Sequence, residues 1–396
     1  MKRIDLVFFD AGGGHRAAAN ALRQVIGAEG RPWEIRVVNL QELLDPLDIF
    51  RKITHIRLQD IYNLMLRKGW TLGSPQLTRM MHGIIRLYHR PTVRLLEKFW
   101  REERPEMVVS VVPNFNRALG ESLRRALPDV PLVTILTDLA DYPPHFWIER
   151  QPQFLICGTE RAAQQARDMG HDTAHIFRTS GMILAPKFYE QVEVDRRAER
   201  QKLSLDPDLP TGLVLFGGHG SRVMLDIAQR LDTSGLKLQL IFICGKNQAL
   251  VQELAKMPHR IPMFVEGFTA EVQRYMRLAD FFIGKPGPGS ISEALAMKLP
   301  VLVERNAWTL PQERYNADWI VEKQVGLVLH SFRFIVQAVA ELLQPENYRR
   351  FHATAAAIQN RAVYEIPEIL EKILEQGDET ASSGRGSVKA RPITDT

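Results

Sequence analysis

Short runs rich in Val, Ile, Leu and Phe recur along this chain, and each is followed by a stretch with apolar residues at helical spacing. In the first half the runs are 4–9, 35–38, 107–112, 132–136 and 154–157. In the second half they are 213–216, 238–244, 263–265, 281–283 and 301–303. Nearly all are continuous rather than alternating, as in parallel strands covered on both faces. Strands separated by helices read as right-handed βαβ units. The pattern therefore predicts an α/β protein with two doubly wound parallel sheets.

The alternation breaks between 185 and 212, which is charged (VEVDRRAERQK) and then turn-rich (DPDLPTG). This places a domain of residues 1–184 before the break and one of 185–376 after it, with part of the break free to form a surface helix. From 377 the chain is rich in Gly and Ser with few large apolar residues, so 377–396 is expected to be a disordered tail. Residues 51–104 do not fit the alternating scheme either. They hold twelve Lys and Arg against four Asp and Glu, interleaved with Ile56, Tyr62, Leu64, Met65, Trp70, Leu72, Met80, Met81, Ile84, Ile85, Tyr88, Phe99 and Trp100.

Composition narrows the class. A length of 396 residues suits two packed domains, and 45% hydrophobic with 24% charged residues is ordinary for a globular protein. The two cysteines, Cys157 and Cys244, sit in apolar runs, so buried thiols in a reducing compartment are expected and a disulfide framework is excluded. No uninterrupted apolar stretch approaches bilayer-spanning length. The first apolar run is too short for a signal peptide and is flanked by Asp5 and Asp10. The net charge of +5 is concentrated in 51–104, which leaves a net of −3 elsewhere.

Three glycine corners follow predicted strands. The first run leads into Asp10-Ala11-Gly12-Gly13-Gly14-His15 and then a helical pattern. Such a turn exposes amides at the positive end of a helix and suits a phosphate. The spacing Gly12-x-Gly14-x-x-Ala17 also fits a dinucleotide fingerprint. That reading wants an acidic residue after the second strand, where Asn39 stands and Glu42 is poorly placed. A P-loop would need a Gly-Lys-Ser/Thr that does not follow, and a tight turn without a ligand remains open. His15 would stand at the ligand-prone edge of the sheet. A second corner, Gly217-Gly218-His219-Gly220-Ser221, opens the second domain.

The third runs Gly284-Lys285-Pro286-Gly287-Pro288-Gly289-Ser290-Ile291-Ser292-Glu293. Either Ser290 caps the helix with Glu293 as its capping-box partner, or the turn's amides and Lys285 hold a pyrophosphate while Glu293 accepts from ribose hydroxyls. Gln312 and Glu313, in the loop after the last run, could hydrogen-bond several hydroxyls of one sugar. Asp138, at the end of the 132–136 run, is a helix cap or a polar group facing a cleft. His171 and His175 are four apart but lie in a turn without a third ligand, so a zinc site is not expected. No Gly-x-Ser-x-Gly elbow marks a serine hydrolase.

Taken in order, the runs GGGHRAAA, VTILTDLADYPPHFW, RTSGMILAPKF, ICGKNQALVQEL, VEGFTAEVQRYMRLADFFIGKPGPGSISEALAMKLPVLV and PQERYNADWIVEKQVGLV resemble the monogalactosyldiacylglycerol synthase branch of glycosyltransferase family 28, over about residues 4–330. The resemblance implies a GT-B fold, two Rossmann-like domains facing a central cleft. It implies an inverting transfer of galactose or glucose from UDP-galactose or UDP-glucose to a membrane lipid, diacylglycerol or a relative, with no metal or other cofactor. Carried over, Glu293 would hold the ribose. Gly287, Gly289, Ser290 and Ile291 would line the pyrophosphate, with Gly13, Gly14, Gly217, Gly218 and Lys285 nearby. Gln312 and Glu313 would hold the sugar, and His15 would act as base, with Asp138 as reserve base or as partner of His15.

The basic 51–104 segment would then dock on an anionic membrane surface at its cytoplasmic face, with Trp70, Met80 and Met81 inserting. The bland alternative is a solvated basic helix pair packed on the domain. No nucleic-acid motif accompanies the charge. The sequence departs from the family pattern at GGHGS, in a 304–310 loop about two residues longer than in plant-type relatives, and in an acceptor segment that matches only loosely (DIYNLMLRKGW). Rival readings are a transferase acting on a polyprenyl-linked acceptor, a GT-B sugar-nucleotide epimerase, and a catalytically silent lipid- or nucleotide-binding protein.

Overall fold

The ten apolar runs all become strands in a computed structural model that describes residues 1–9, 14–47, 83, 85–142, 145–190 and 192–385. The first sheet holds β1 (Lys2–Phe8), β2 (Trp33–Asn39), β3 (Met107–Ser110), β4 (Leu132–Ile135), β5 (Phe154–Cys157) and β6 (Ile176–Arg178) in the order β2-β1-β3-β4-β5-β6. The second holds β7 (Thr211–Leu215), β8 (Gln239–Ile243), β9 (Met263–Glu266), β10 (Phe281–Gly284), β11 (Val301–Glu304) and β12 (Gly326–Leu329) in the order β12-β11-β10-β7-β8-β9. Every pairing is parallel.

The central strands are buried on both faces, which is why they read as nearly unbroken apolar runs; in β1 the buried Asp5 interrupts the run and accepts from Arg36 Nη2 at 2.6 Å. Two strands were not foreseen, β6 and β12. Both lie at a sheet edge, where a strand is short and covered less evenly: β6 is the half-exposed triplet Ile-Phe-Arg.

Each sheet reverses its winding once, between β1 and β3 in the first and between β7 and β10 in the second. Ligands of open α/β sheets bind outside the carboxyl ends of the strands at such switch points. The loops following β1 and β7 carry the first two glycine corners, and the loop following β10 carries the third.

The break at 185–212 belongs to the second lobe. It contains the short helix Arg196–Lys202, capped by Asp195, whose Oδ1 accepts from Ala198 N at 3.1 Å. From that helix the buried Arg200 reaches Asp280 Oδ2 at 2.8 Å and the Leu278 carbonyl.

The far boundary must be redrawn. After the helix Pro345–Ala357 the chain crosses back, and Ala362, Val363, Ile366, Leu370 and Ile373 join the core of the first sheet against the helix Gly14–Ala28. The second lobe therefore ends near 358, not at 376. The last helix runs Ala362–Arg385, so the stretch 377–385, expected to be disordered, continues it. The two crossings clasp one another. Asn360 Nδ2 donates to the Met182 carbonyl at 2.9 Å, Arg361 N to Ser180 Oγ at 2.7 Å, and Ser180 N to Glu365 Oε2 at 2.7 Å.

Part of the basic segment is also core. The helix His89–Glu103 packs Val93, Leu96 and Trp100 under the first sheet, and the Trp100 indole donates to Ser122 Oγ at 2.9 Å. Trp100 is therefore structural rather than a membrane contact, because its spacing from Val93 and Leu96 puts it on the helix's buried stripe. The outer face presents Arg90, Arg94, Lys98 and Arg101. Trp70, Met80, Met81 and Gly13 lie outside the described residues. Among the described residues no helix is long and apolar enough to cross a membrane.

Candidate active site

His15 is the second residue of the helix Gly14–Ala28, whose inner face buries Ala18, Ala19, Leu22, Val25 and Ile26. That packing sets the helix start, and with it the imidazole, at the carboxyl edge of the first sheet. Nδ1 of His15 lies 3.0 Å from Thr137 Oγ1, just past β4. The ring stands 5.9 Å, centroid to centroid, from the Trp147 indole. Surrounded by protein on most sides, the imidazole has its pKa pushed down to about 4, because burial disfavours the charged ring.

Asp138 does not pair with His15, as was expected of it in one of its roles. Trp147 Nε1–H donates to its Oδ2 at 2.9 Å instead. Trp147 is itself fully buried and held along its backbone: its N–H donates to Asp141 Oδ1 at 2.7 Å, and its carbonyl accepts from Asn116 Nδ2 at 3.0 Å. Burial lifts the Asp138 carboxyl to about 7; the indole opposes this, Glu313 adds to it and Lys285 opposes it. The last two belong to the second lobe, so Asp138 faces that lobe's β10 edge. Asp141, raised to about 6 mainly by burial, is spent on the backbone of the 145–147 turn.

In the second lobe the corners after β7 and β8 interlock. Lys246 N donates to the Gly218 carbonyl at 2.9 Å. Gly217 and Gly245 both have positive φ, at 73° and 59°, and a Cβ on Gly245 would stand 2.4 Å from Gly218 O. Gly245→Ala is accordingly expected to lower the urea midpoint by the equivalent of about 1–3 kcal/mol, with an unchanged m-value. A wild-type midpoint would refute this packing.

The helix Pro288–Ala296 begins at Gly287, with Pro288 in its first position. Its first-turn amides, Gly289 and Ser290, have no carbonyl behind them within the helix, whereas Ile291 N donates to Gly287 O at 3.1 Å and the Ile291 side chain lies in the core. The capping-box account of Glu293 is overturned. Ser290 sits inside the helix and its hydroxyl donates to Gly287 O at 3.2 Å, leaving no cap for Glu293 to complete. Among the described residues the Glu293 carboxyl makes no hydrogen bond. Burial raises its pKa to about 7, against a smaller lowering by Lys187.

Gln312 is half-buried, and Glu313 is buried on the short turn Pro311–Glu313. Glu313 Oε1 pairs with Lys285 Nζ at 2.7 Å. Asn316 was not foreseen. Fully buried, it donates from Nδ2 to the Pro286 carbonyl at 2.8 Å and so ties the helix Arg314–Lys323 to the Gly287 turn. Thr137 and Trp147 were likewise not singled out, although both stand in the VTILTDLADYPPHFW run; their roles need the contacts of the folded chain. Asn39, which tells against a dinucleotide site, caps the next helix by accepting from Gln41 N at 3.2 Å. Among the described residues no three His, Cys, Asp or Glu side chains group as a metal site.

Two doubly wound parallel sheets with their switch-point loops turned to a shared cleft define a GT-B protein. The solved structures agree: Acinetobacter baumannii MurG matches with a TM-score of 0.61 at 12% identity, over 94% of this chain and 100% of that one. The S. aureus MnaA-UDP co-structure matches with a TM-score of 0.60 at 18% identity, over 95% and 97%. Residues 15–181 match the family described as monogalactosyldiacylglycerol (MGDG) synthase, and residues 213–369 the glycosyltransferase family 28 C-terminal domain. The probable monogalactosyldiacylglycerol synthase 2 of Oryza sativa subsp. japonica is 27% identical over 95% of this chain and 81% of its own length. The monogalactosyldiacylglycerol synthase of Spinacia oleracea is 26% identical over 96% and 72%. The chain belongs to the monogalactosyldiacylglycerol synthase-like branch of glycosyltransferase family 28, and it is a glycosyltransferase.

Proposed function

We propose that this enzyme moves a hexose, galactose or glucose, from a UDP-sugar to a membrane lipid, diacylglycerol, with inversion at the anomeric carbon. The observation that carries the reading is the meeting of the two lobes. Asp138, one residue past His15's partner Thr137, feels the charges of Lys285 and Glu313 at the opposing switch point. The diphosphate lies on the Gly289 and Ser290 amides, the ribose on Glu293 and the hexose on Gln312 and Glu313.

The lipid hydroxyl attacks the anomeric carbon as the bond from that carbon to the diphosphate oxygen breaks, and the electron pair leaves with UDP. For His15 Nε2 to take the hydroxyl proton, Nδ1 must carry its hydrogen and donate it to Thr137 Oγ1. Neutral above about pH 4, the ring is ready to accept. The anionic donor beside it raises its basicity once bound. The amides of the Gly287 turn and the helix behind them stabilise the departing charge, with no metal required.

The enzyme works as a peripheral protein on the cytoplasmic face of an anionic membrane. Support comes from the exposed Arg90 and Arg94, with Leu87 76% exposed just before them; further along the helix Lys98 and Arg101 pair with Glu102 and Glu97. The test is incubation with diacylglycerol vesicles, with and without phosphatidylglycerol, and labelled UDP-galactose or UDP-glucose. Transfer to lipid is expected from one of the two. Release of an epimerised nucleotide sugar, or transfer only to a polyprenyl phosphate, would replace this reading. Vesicle sedimentation should weaken steeply between low and physiological salt; salt-independent binding would refute electrostatic docking.

A further inference from the structure

We propose that Lys285 and Glu313 are exchange partners: the diphosphate of a nucleotide draws Lys285 away from Glu313, and the released carboxylate accepts from the hydroxyls of the attached sugar. This rests on the donor reading above and deepens it. Lys285 Nζ stands 2.7 Å from Glu313 Oε1. The lysine stem spans the second sheet's switch point. A Cβ on Gly217 would lie 3.7 Å from Lys285 Cε, and one on Gly287 would lie 3.4 Å from the same atom and 3.7 Å from Glu313 Oε1. The ammonium therefore reaches across the two glycine corners where an anion would meet the Gly289 and Ser290 amides.

The two partners differ in freedom. The Glu313 side chain is 11% exposed and held on a short turn, while that of Lys285 is 45% exposed on a four-carbon stem. In an exchange, Lys285 is the one that moves. A buried carboxylate that loses its cation must find other donors. The hydroxyls of the attached hexose supply them, and UDP, which lacks the hexose, does not. The pair would thus distinguish a charged donor from the spent nucleotide, holding the first and letting the second go.

Calorimetric titration of the full chain with UDP, UDP-galactose and UDP-glucose tests this. Glu313→Gln removes the Lys285–Glu313 ion pair that the diphosphate must break, so UDP affinity is expected to rise about threefold, the size of a part-exposed ion pair. Preference for the UDP-hexose over UDP is expected to fall about tenfold, for want of a charged acceptor. Glu313→Asp, which shortens the reach to Lys285 and keeps the charge, should also raise UDP affinity and serves if the first variant misfolds. Lys285→Met should weaken UDP binding more in the Glu313→Gln background than alone. Unchanged or lowered UDP affinity in both Glu313 variants, or equal losses from Lys285→Met in both backgrounds, overturns the exchange. Wild-type protein that binds none of the three nucleotides overturns the donor reading itself.

Discussion

His15→Ala is expected to lower kcat by about a thousandfold, the usual scale for a lost general base, while UDP binding stays near wild type. The reason is positional. His15 belongs to the first lobe and touches Thr137, whereas the Gly289 and Ser290 amides proposed for the diphosphate belong to the second. Thr137→Val keeps the shape and removes the hydroxyl that orients Nδ1, so a smaller fall, about tenfold, is expected. The pH profile identifies the base. With His15 as base, the acidic limb of kcat/KM for wild-type enzyme should fall near 4, where burial places its pKa, and not near 6.5. A limb near 7 that vanishes in Asp138→Asn would hand the proton to Asp138, whose carboxyl titrates there. Burial of neutral His15 also makes the ligand-free fold lose stability as pH falls from about 6.5 towards 4, since the unfolded chain binds that proton first.

Glu293→Gln is expected to act in opposite directions on binding and on stability. Loss of a charged acceptor for the ribose hydroxyls should weaken UDP about tenfold to a hundredfold. The ligand-free variant should nevertheless be the more stable protein at pH 8. Glu293 titrates at about 7 in the fold against 4.5 for the free side chain, mainly through burial. The folded state therefore holds the extra proton. The stability linked to that proton is full below about 4.5 and is lost as pH rises through 7. Glutamine carries no such charge, so its advantage over wild type should grow from pH 5 to pH 8, to at most about 3 kcal/mol and less for the exposure Glu293 keeps. Thermal melts at both pH values measure it. An advantage of equal size at pH 5 and pH 8 would show that the carboxyl is solvated, and with unchanged UDP affinity Glu293 would leave the site altogether.

This opposition is the pattern of a group kept for a ligand. A half-buried carboxyl without a hydrogen bond costs stability in the empty protein, and a bound partner offsets it. Its sequence neighbours suggested a capping box, and that suggestion failed for a local reason: Pro288 starts the helix two residues before Ser290, so the serine arrives too late to cap. The central strands, in contrast, were plain to read, because burial on both faces leaves few polar positions in them, Asp5, Ser110 and Thr134 among these few. The edge strand β6, a half-exposed triplet ending in Arg178, lacked that signature, whereas β12, the apolar run GLVL, carried it in only four residues.

What the amino-acid order determined alone was local: apolar runs for central parallel strands, glycines where chain reversals approach one another, and the types of side chain present at each corner. Those features depend on neighbours a few residues away. The return of the last helix to the first lobe, the burial of Trp100, the choice of Thr137 rather than Asp138 as His15's partner and the tie from Asn316 to the Gly287 turn were decided by the tertiary structure. Each joins segments far apart in sequence, and only the packing of the two sheets settles which atoms come within hydrogen-bonding reach. The same packing sets the charges: His15, Asp138 and Glu293 are ordinary titratable residues in the chain, and the removal of water around them in the fold lowers the pKa of the first and raises those of the other two.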